Sequence, residues 1–219
     1  MWKNIIFDLD GTLIDSADDI IDCLYYAYSF VPELGVPKIE KTIIGPPVDT
    51  MAKRITPNIN DQQIQRIVSK YRGCYDKSTL PRTKLYAGVE KLLNTLTAKG
   101  LSLFLVTNKP IFPTKMILKK FSLNCFTDII TPDSISGKTI NKDEMIQCLI
   151  KKWALEKGKT LIVGDTSSDV QAGNKNGIIS AAVLNGYGEE HTIRNSRPKY
   201  IFKDINELAD KLFKEEINE

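Results

Sequence analysis

The sequence predicts an α/β protein, a doubly wound parallel sheet with an all-helical segment inserted after its first strand. Three observations predict it. Short apolar runs at 5–7, 101–106, 160–163 and 179–184 read as strands covered on both faces. From Gly88 onward, amphipathic stretches alternate with those runs, as parallel strands joined by helices require. Between Asp15 and Leu80, by contrast, helical spacing recurs without a convincing strand. The predicted division is therefore an α/β core of 1–15 and 81–219 with a helical cap of 16–80.

The first run, Ile5, Ile6 and Phe7, leads into Asp8, Leu9, Asp10 and Gly11. If the strand alternation continues, Asp8 and Asp10 point the same way and share one small space. Two unpaired carboxylates there would repel, so a divalent cation or a shared proton is the expected remedy, and oxygen donors suit magnesium. The plainer reading is a pair of turn aspartates, one of them capping the next helix.

That helix is expected over 17–30, with Ile20, Ile21, Leu24, Ala27 and Tyr28 on one face, Ser16 as N-cap and Asp18 and Asp19 in its first turn. Pro32, Gly35 and Pro37 break it. Further helices are expected over 39–43, 48–55 and 61–77, the last presenting Ile64, Ile67, Val68 and Tyr71. Gly45-Pro46-Pro47 reads as a rigid turn, and Lys53 and Arg54 read either as contacts for a substrate anion or as a solvated face.

The chain re-enters the core near Leu80-Pro81. Leu92, Leu93 and Leu96 mark a helix ended by Gly100, and the strand after it runs into Thr107-Asn108-Lys109-Pro110. A hydroxyl and an amide at a strand's carboxyl end suit a phosphate oxygen, although Thr and Asn are also common caps. A helix over 113–121 and a short strand at Ile129-Ile130 follow. The segment 136–144 then offers two cations, Lys138 in a Gly-containing loop and Lys142 at the start of a helix reaching Trp153. The strand 160–163 ends in Gly164-Asp165, with Asp169 one helical turn on, so both carboxylates can face one ion. A helix closed by Gly177, a strand at 179–184, an outward turn at Gly186-Tyr187-Gly188, an edge strand at 200–202, a helix over 205–213 and a frayed end complete the chain.

These four clusters, in this order, resemble the motifs of the haloacid-dehalogenase-like hydrolases, in the branch of the phosphoglycolate phosphatases with a helical cap. The resemblance implies a Rossmann-like core and a magnesium-dependent phosphatase acting on a small phosphomonoester such as phosphoglycolate, a nucleotide or a sugar phosphate. It implies Asp8 as nucleophile through an aspartyl-phosphate, Asp10 as general acid and base, and Thr107, Asn108 and Gly11 on the phosphate. Asp8, Asp10, Asp165 and Asp169 would surround Mg2+, and the Gly45 turn would face the site. Relatives place the phosphate-binding lysine before a proline; this chain has none there, and a Lys-x-Glu-x-Ile pattern favours Lys142 over Lys138. A phosphomutase shares the motifs. A metal-independent dehalogenase would not need Asp10, and a phospho-accepting module would lack the helical insertion.

Composition fits a globular protein: 219 residues, 42% hydrophobic and 26% charged, with a net charge of +3 that argues for no nucleic-acid partner. No apolar run nears the ~20 residues of a membrane span, and the first strand starts too early for a signal peptide, so a cytoplasmic, membrane-free protein is expected, as monomer or homodimer. Cys23, Cys74, Cys125 and Cys148 are scattered and only His191 accompanies them, which reads as buried free thiols rather than a zinc or redox site.

Overall fold

The computed structural model describes residues 1–135 and 137–214; the frayed end expected beyond, and Ser136, lie outside the described residues. The first strand, β1 (Asn4–Phe7), is followed by β2 (Ile14–Asp15), and then by α1 (Ala17–Tyr28), α2 (Val48–Ile55) and α3 (Asp61–Tyr75). β3 (Lys84–Leu85) returns antiparallel to β2, pairing Ile14 with Leu85, so a two-stranded ribbon forms the root of the helical segment. The helix expected over 39–43 is only a 3-10 turn, Lys41–Ile43. With Pro37 before it and Gly45-Pro46-Pro47 after it, the backbone has no room for a longer ladder.

From there strands and helices alternate as the periodicity predicts. α4 (Val89–Ala98), β4 (Ser102–Val106), α5 (Ile111–Lys120) and β5 (Asp128–Ile130) are followed by α6 (Lys142–Trp153), β6 (Thr160–Gly164) and α7 (Ser167–Asn176). β7 (Ile179–Val183), α8 (Glu190–Asn195), β8 (Tyr200–Phe202) and α9 (Ile205–Lys214) close the chain. The six core strands run parallel in the order β5-β4-β1-β6-β7-β8.

Alternation along each strand divides the core. Ile5, Phe7, Leu103, Leu105, Leu161 and Val163 pack on one side with Leu92, Leu96, Ile117 and Leu208. Ile6, Phe104, Val106 and Ile162 pack on the other with Met145, Ile146 and Leu149 of α6. Both faces are covered, so β1, β4 and β6 are apolar from their second residue to their ends. The chain winds from β1 outward through β4 to β5, then crosses back to β6, so the order reverses beside β1. Such a reversal leaves a crevice at the carboxyl ends of the strands. Asp8, Thr107 and Asp165 stand there, at the ends of β1, β4 and β6.

The helical segment packs chiefly through α1 and α3, and a disulfide joins them, Cys23 to Cys74, with Cα atoms 5.7 Å apart. This corrects the reading of those two residues as free thiols; Cys125 and Cys148 are free, but half-buried rather than buried. The partners are 51 positions apart in sequence and meet only because the two helices pack, which spacing alone does not reveal.

Candidate active site

Asp8 follows the last residue of β1, and its backbone N–H still donates to the Val163 carbonyl at 2.9 Å, so the sheet fixes its backbone. Its carboxylate is buried, as are those of Asp165 and Asp169, and the three offer oxygens within 4.8 Å of one another. Burial pushes Asp8 up to about 7 despite the pull of Lys142, with the Asp169 charge adding to the rise. Burial also raises Asp165 well above the usual carboxylate range, reinforced by Asp8 and Asp169.

One cation answers these three anions. The Lys142 ammonium donates to Asp8 Oδ1 at 2.9 Å and to Asp169 Oδ1 at 2.5 Å. Burial works against its charge, yet Asp169 and Asp8 hold its pKa upward. A reciprocal cap anchors it: Asn141 Oδ1 accepts from the Glu144 N–H, and Glu144 Oε2 accepts from the Asn141 N–H, setting Lys142 at the first position of α6. Lys138 instead points to Glu144, 2.6 Å away, and is exposed. One ammonium among three buried carboxylates leaves negative charge uncompensated, and hard oxygen donors this close fit a magnesium-sized cation.

Neighbours hold each carboxylate in place. Asp165 accepts from Thr12 Oγ1 at 3.1 Å and from the Tyr187 N–H at 2.7 Å. Asp169 Oδ2 accepts from the N–H and hydroxyl of Thr166, so one aspartate both caps α7 and faces Lys142. Gly11, at φ +86°, presses so close that a Cβ there would lie 2.2 Å from Asp165 Oδ2. Its N–H is given to the Ile14 carbonyl, so Gly11 contributes space rather than a donor.

Asp10 stands apart from this group. Its Oδ1 accepts from Ser16 Oγ at 2.5 Å and pairs with the Lys109 ammonium at 3.2 Å. Because β1 ends at Phe7, strand alternation does not extend to Asp8 and Asp10, and their carboxylates face different lysines. Ser16 thus serves Asp10 and makes no side-chain cap on α1. Thr107 is buried, and its Oγ1 accepts from the Lys109 N–H at 3.1 Å, leaving its own hydrogen to donate. Asn108 Nδ2 gives one hydrogen to the Gly45 carbonyl at 2.8 Å, tying the turn of the helical segment to the end of β4.

That turn walls a cavity of about 590 Å³ whose lining includes Pro46, Arg54, Asn108, Lys142, Ser168 and Glu189; Lys53 is not among its lining residues. The Gly186–Gly188 loop, expected to turn outward, folds in: Tyr187 is buried and its hydroxyl accepts from the Ser16 N–H at 2.7 Å. The two glycines make this fit possible, since a Cβ on Gly186 would meet Asp165 at 2.3 Å. Sequence reasoning assigned no role to Lys109, Thr12, Thr166 or Tyr187. Nothing local marks Lys109 as buried, and the turn around Tyr187 reads as outward; only their neighbours in space reveal otherwise.

Residues 5–183 match the family model described as haloacid dehalogenase-like hydrolase. The chain is 26% identical to a 5'-nucleotidase of Pseudomonas aeruginosa, covering 96% of each, and 26% identical to a phosphoglycolate phosphatase of Haemophilus influenzae, covering 94% of this chain and 96% of that one. The crystal structure of a predicted phosphatase from Clostridium acetobutylicum superposes with a TM-score of 0.86 at 27% identity, over 98% of this chain and 99% of that one.

Proposed function

The chain belongs to the haloacid dehalogenase-like hydrolase family and is a phosphatase, and from that premise we propose that it hydrolyses a small phosphomonoester with magnesium through an aspartyl-phosphate on Asp8. The observation that carries this reading is Lys142 placed between Asp8 and Asp169, a fixed ammonium beside a buried carboxylate at a strand end. A carboxylate attacks phosphorus only when positive charge draws the anionic phosphate onto it.

In the first half-reaction an oxygen of Asp8 bonds to phosphorus while the bond from phosphorus to the ester oxygen breaks. Asp10 delivers the proton that the departing oxygen takes up. In the second, water attacks the aspartyl-phosphate, Asp10 takes its proton, and phosphate leaves with Asp8 restored. Lys142 offsets the charge on the phosphoryl oxygens throughout, and the free hydrogens of Thr107 and Asn108 point the phosphoryl group toward Asp8. Asp8, Asp165 and Asp169 would hold magnesium, which would supply positive charge that Lys142 alone does not provide. Asp10, committed to Lys109 and Ser16, is left to the proton work.

The helical segment acts in this reading as a cap, excluding water and reading the leaving group through the Gly45 turn and Arg54. Phosphoglycolate, nucleotides and sugar phosphates are the candidate substrates. The test is a panel of such esters with magnesium, run on the native protein and on Asp8→Asn. The native protein should release phosphate from at least one ester, whereas the variant, folded by circular dichroism, should release none, because an amide is a poor nucleophile. Hydrolysis by Asp8→Asn at the native rate would refute the aspartyl-phosphate route.

A further inference from the structure

Lys109 is the second buried lysine of the site, and its ammonium pairs with Asp10 rather than with the Asp8 and Asp169 carboxylates that Lys142 holds. It is 8% exposed. Its ammonium lies 3.2 Å from Asp10 Oδ1 and donates to the Tyr75 hydroxyl at 3.0 Å, while sitting 4.2 Å from the centroid of the Tyr75 ring. Tyr75 is the last residue of α3, 1% exposed, and stacks on Tyr71 with ring centroids 5.5 Å apart. The ammonium therefore meets a carboxylate, a hydroxyl and a ring face at once, which together offset the cost of burying it.

A carboxylate needs such ties to be useful in proton transfer. The outer torsion of an aspartate is broad, so its oxygens are aimed only by what they touch. Asp10 touches Ser16, which follows the ribbon strand β2, and Lys109, which in turn rests on the far helix of the cap. We propose that Lys109, supported by Tyr75, is a positioning residue that aims Asp10 at the leaving-group oxygen and at the attacking water, so that correct aim depends on α3 being seated on the core. This inference rests on the phosphatase reading above and adds to it a residue outside its four motif clusters' assigned groups.

The test separates steps that need a proton from the one that does not. With p-nitrophenyl phosphate, nitrophenolate leaves without protonation, so the initial burst reports Asp8, magnesium and phosphate binding alone. The later steady state reports hydrolysis of the aspartyl-phosphate, which needs Asp10. An alkyl phosphate needs Asp10 in both steps. For Lys109→Met, which keeps length and packing, we expect the burst to retain its rate. Steady-state turnover of both esters should fall on the order of 10²-fold, the usual worth of a placed acid or base. Tyr75→Phe, which keeps the ring and loses the hydroxyl, should show the same pattern to a smaller degree, and it guards against a fold defect in the first variant. Loss of the burst in parallel with turnover in a folded variant would overturn the proposal, because it would place Lys109 in general packing or on the phosphate side. Unchanged steady-state rates in both variants would overturn it equally. A native protein that releases phosphate from no ester of the panel would instead refute the phosphatase reading, before any variant is considered.

Discussion

Two lysines four residues apart in sequence, Lys138 and Lys142, show how burial separates a working charge from a solvated one. Lys142 is buried against Asp8 and Asp169, whereas Lys138 pairs with Glu144 on the surface, where such a pair contributes little. Lys142→Ala should therefore lose on the order of 10²-fold or more in kcat, as expected when one preorganised electrostatic contact is removed from a closed site. Lys138→Ala should keep native kcat, and both should remain folded. Steady-state kinetics on whichever ester the panel identifies checks the ranking, and the reverse order would move the role to Lys138. The sequence made this choice partly legible, because Asn141-Lys142-Asp143-Glu144 is a helix start and a helix start holds its first side chain firmly. Lys109 was illegible for the opposite reason: its partners Asp10 and Tyr75 lie 99 and 34 positions away, and nothing local marks it as buried.

At the level of elements, close approach sets the demands. The loop after β1 has to pass Asp165, and the Gly11 backbone adopts φ +86° with a would-be Cβ 2.2 Å from that carboxylate. Gly100, which ends α4 at φ +77°, meets nothing within 4 Å. Substituting alanine at either costs about 1–2 kcal/mol for the left-handed backbone. Gly11→Ala should cost clearly more, since Asp165 must also shift, and should lower activity, while Gly100→Ala shows the backbone cost alone. Urea midpoints for the two variants provide the comparison; equal losses would mean that the Gly11 loop yields freely. Strand and helix positions were readable from periodicity because both sheet faces are apolar. The β2–β3 ribbon was not, since two-residue strands carry no period, and neither was the inward turn at Tyr187, which reads as an outward turn until Asp165 is seen beside its glycines. The Cys23–Cys74 bridge belongs with these, a contact made by helix packing rather than by local pattern.

For the molecule as a whole, the three buried carboxylates are a cost that a cation should relieve. With only Lys142 among them, Asp8 is pushed up to about 7 and Asp165 is raised as well, so the folded protein without metal binds protons that the unfolded chain would release near pH 4. The sign follows from this difference. A carboxyl raised in the folded state contributes stability that is present below its unfolded pKa and is lost as pH rises through its folded value, here between about pH 4 and about 7 for Asp8. Magnesium competes with those protons for the same oxygens, so it should stabilise the fold more at pH 8 than at pH 5. At a concentration one hundred times its dissociation constant, the gain is about 2.7 kcal/mol. Thermal unfolding in chelator and in magnesium, at both values of pH, measures it directly and needs no substrate. Asp165→Asn should shrink the magnesium shift, and calcium should restore little activity, because its longer bonds and looser geometry misplace the nucleophile. A magnesium shift of equal size at pH 5 and pH 8, or one untouched in Asp165→Asn, would place the ion elsewhere than among Asp8, Asp165 and Asp169.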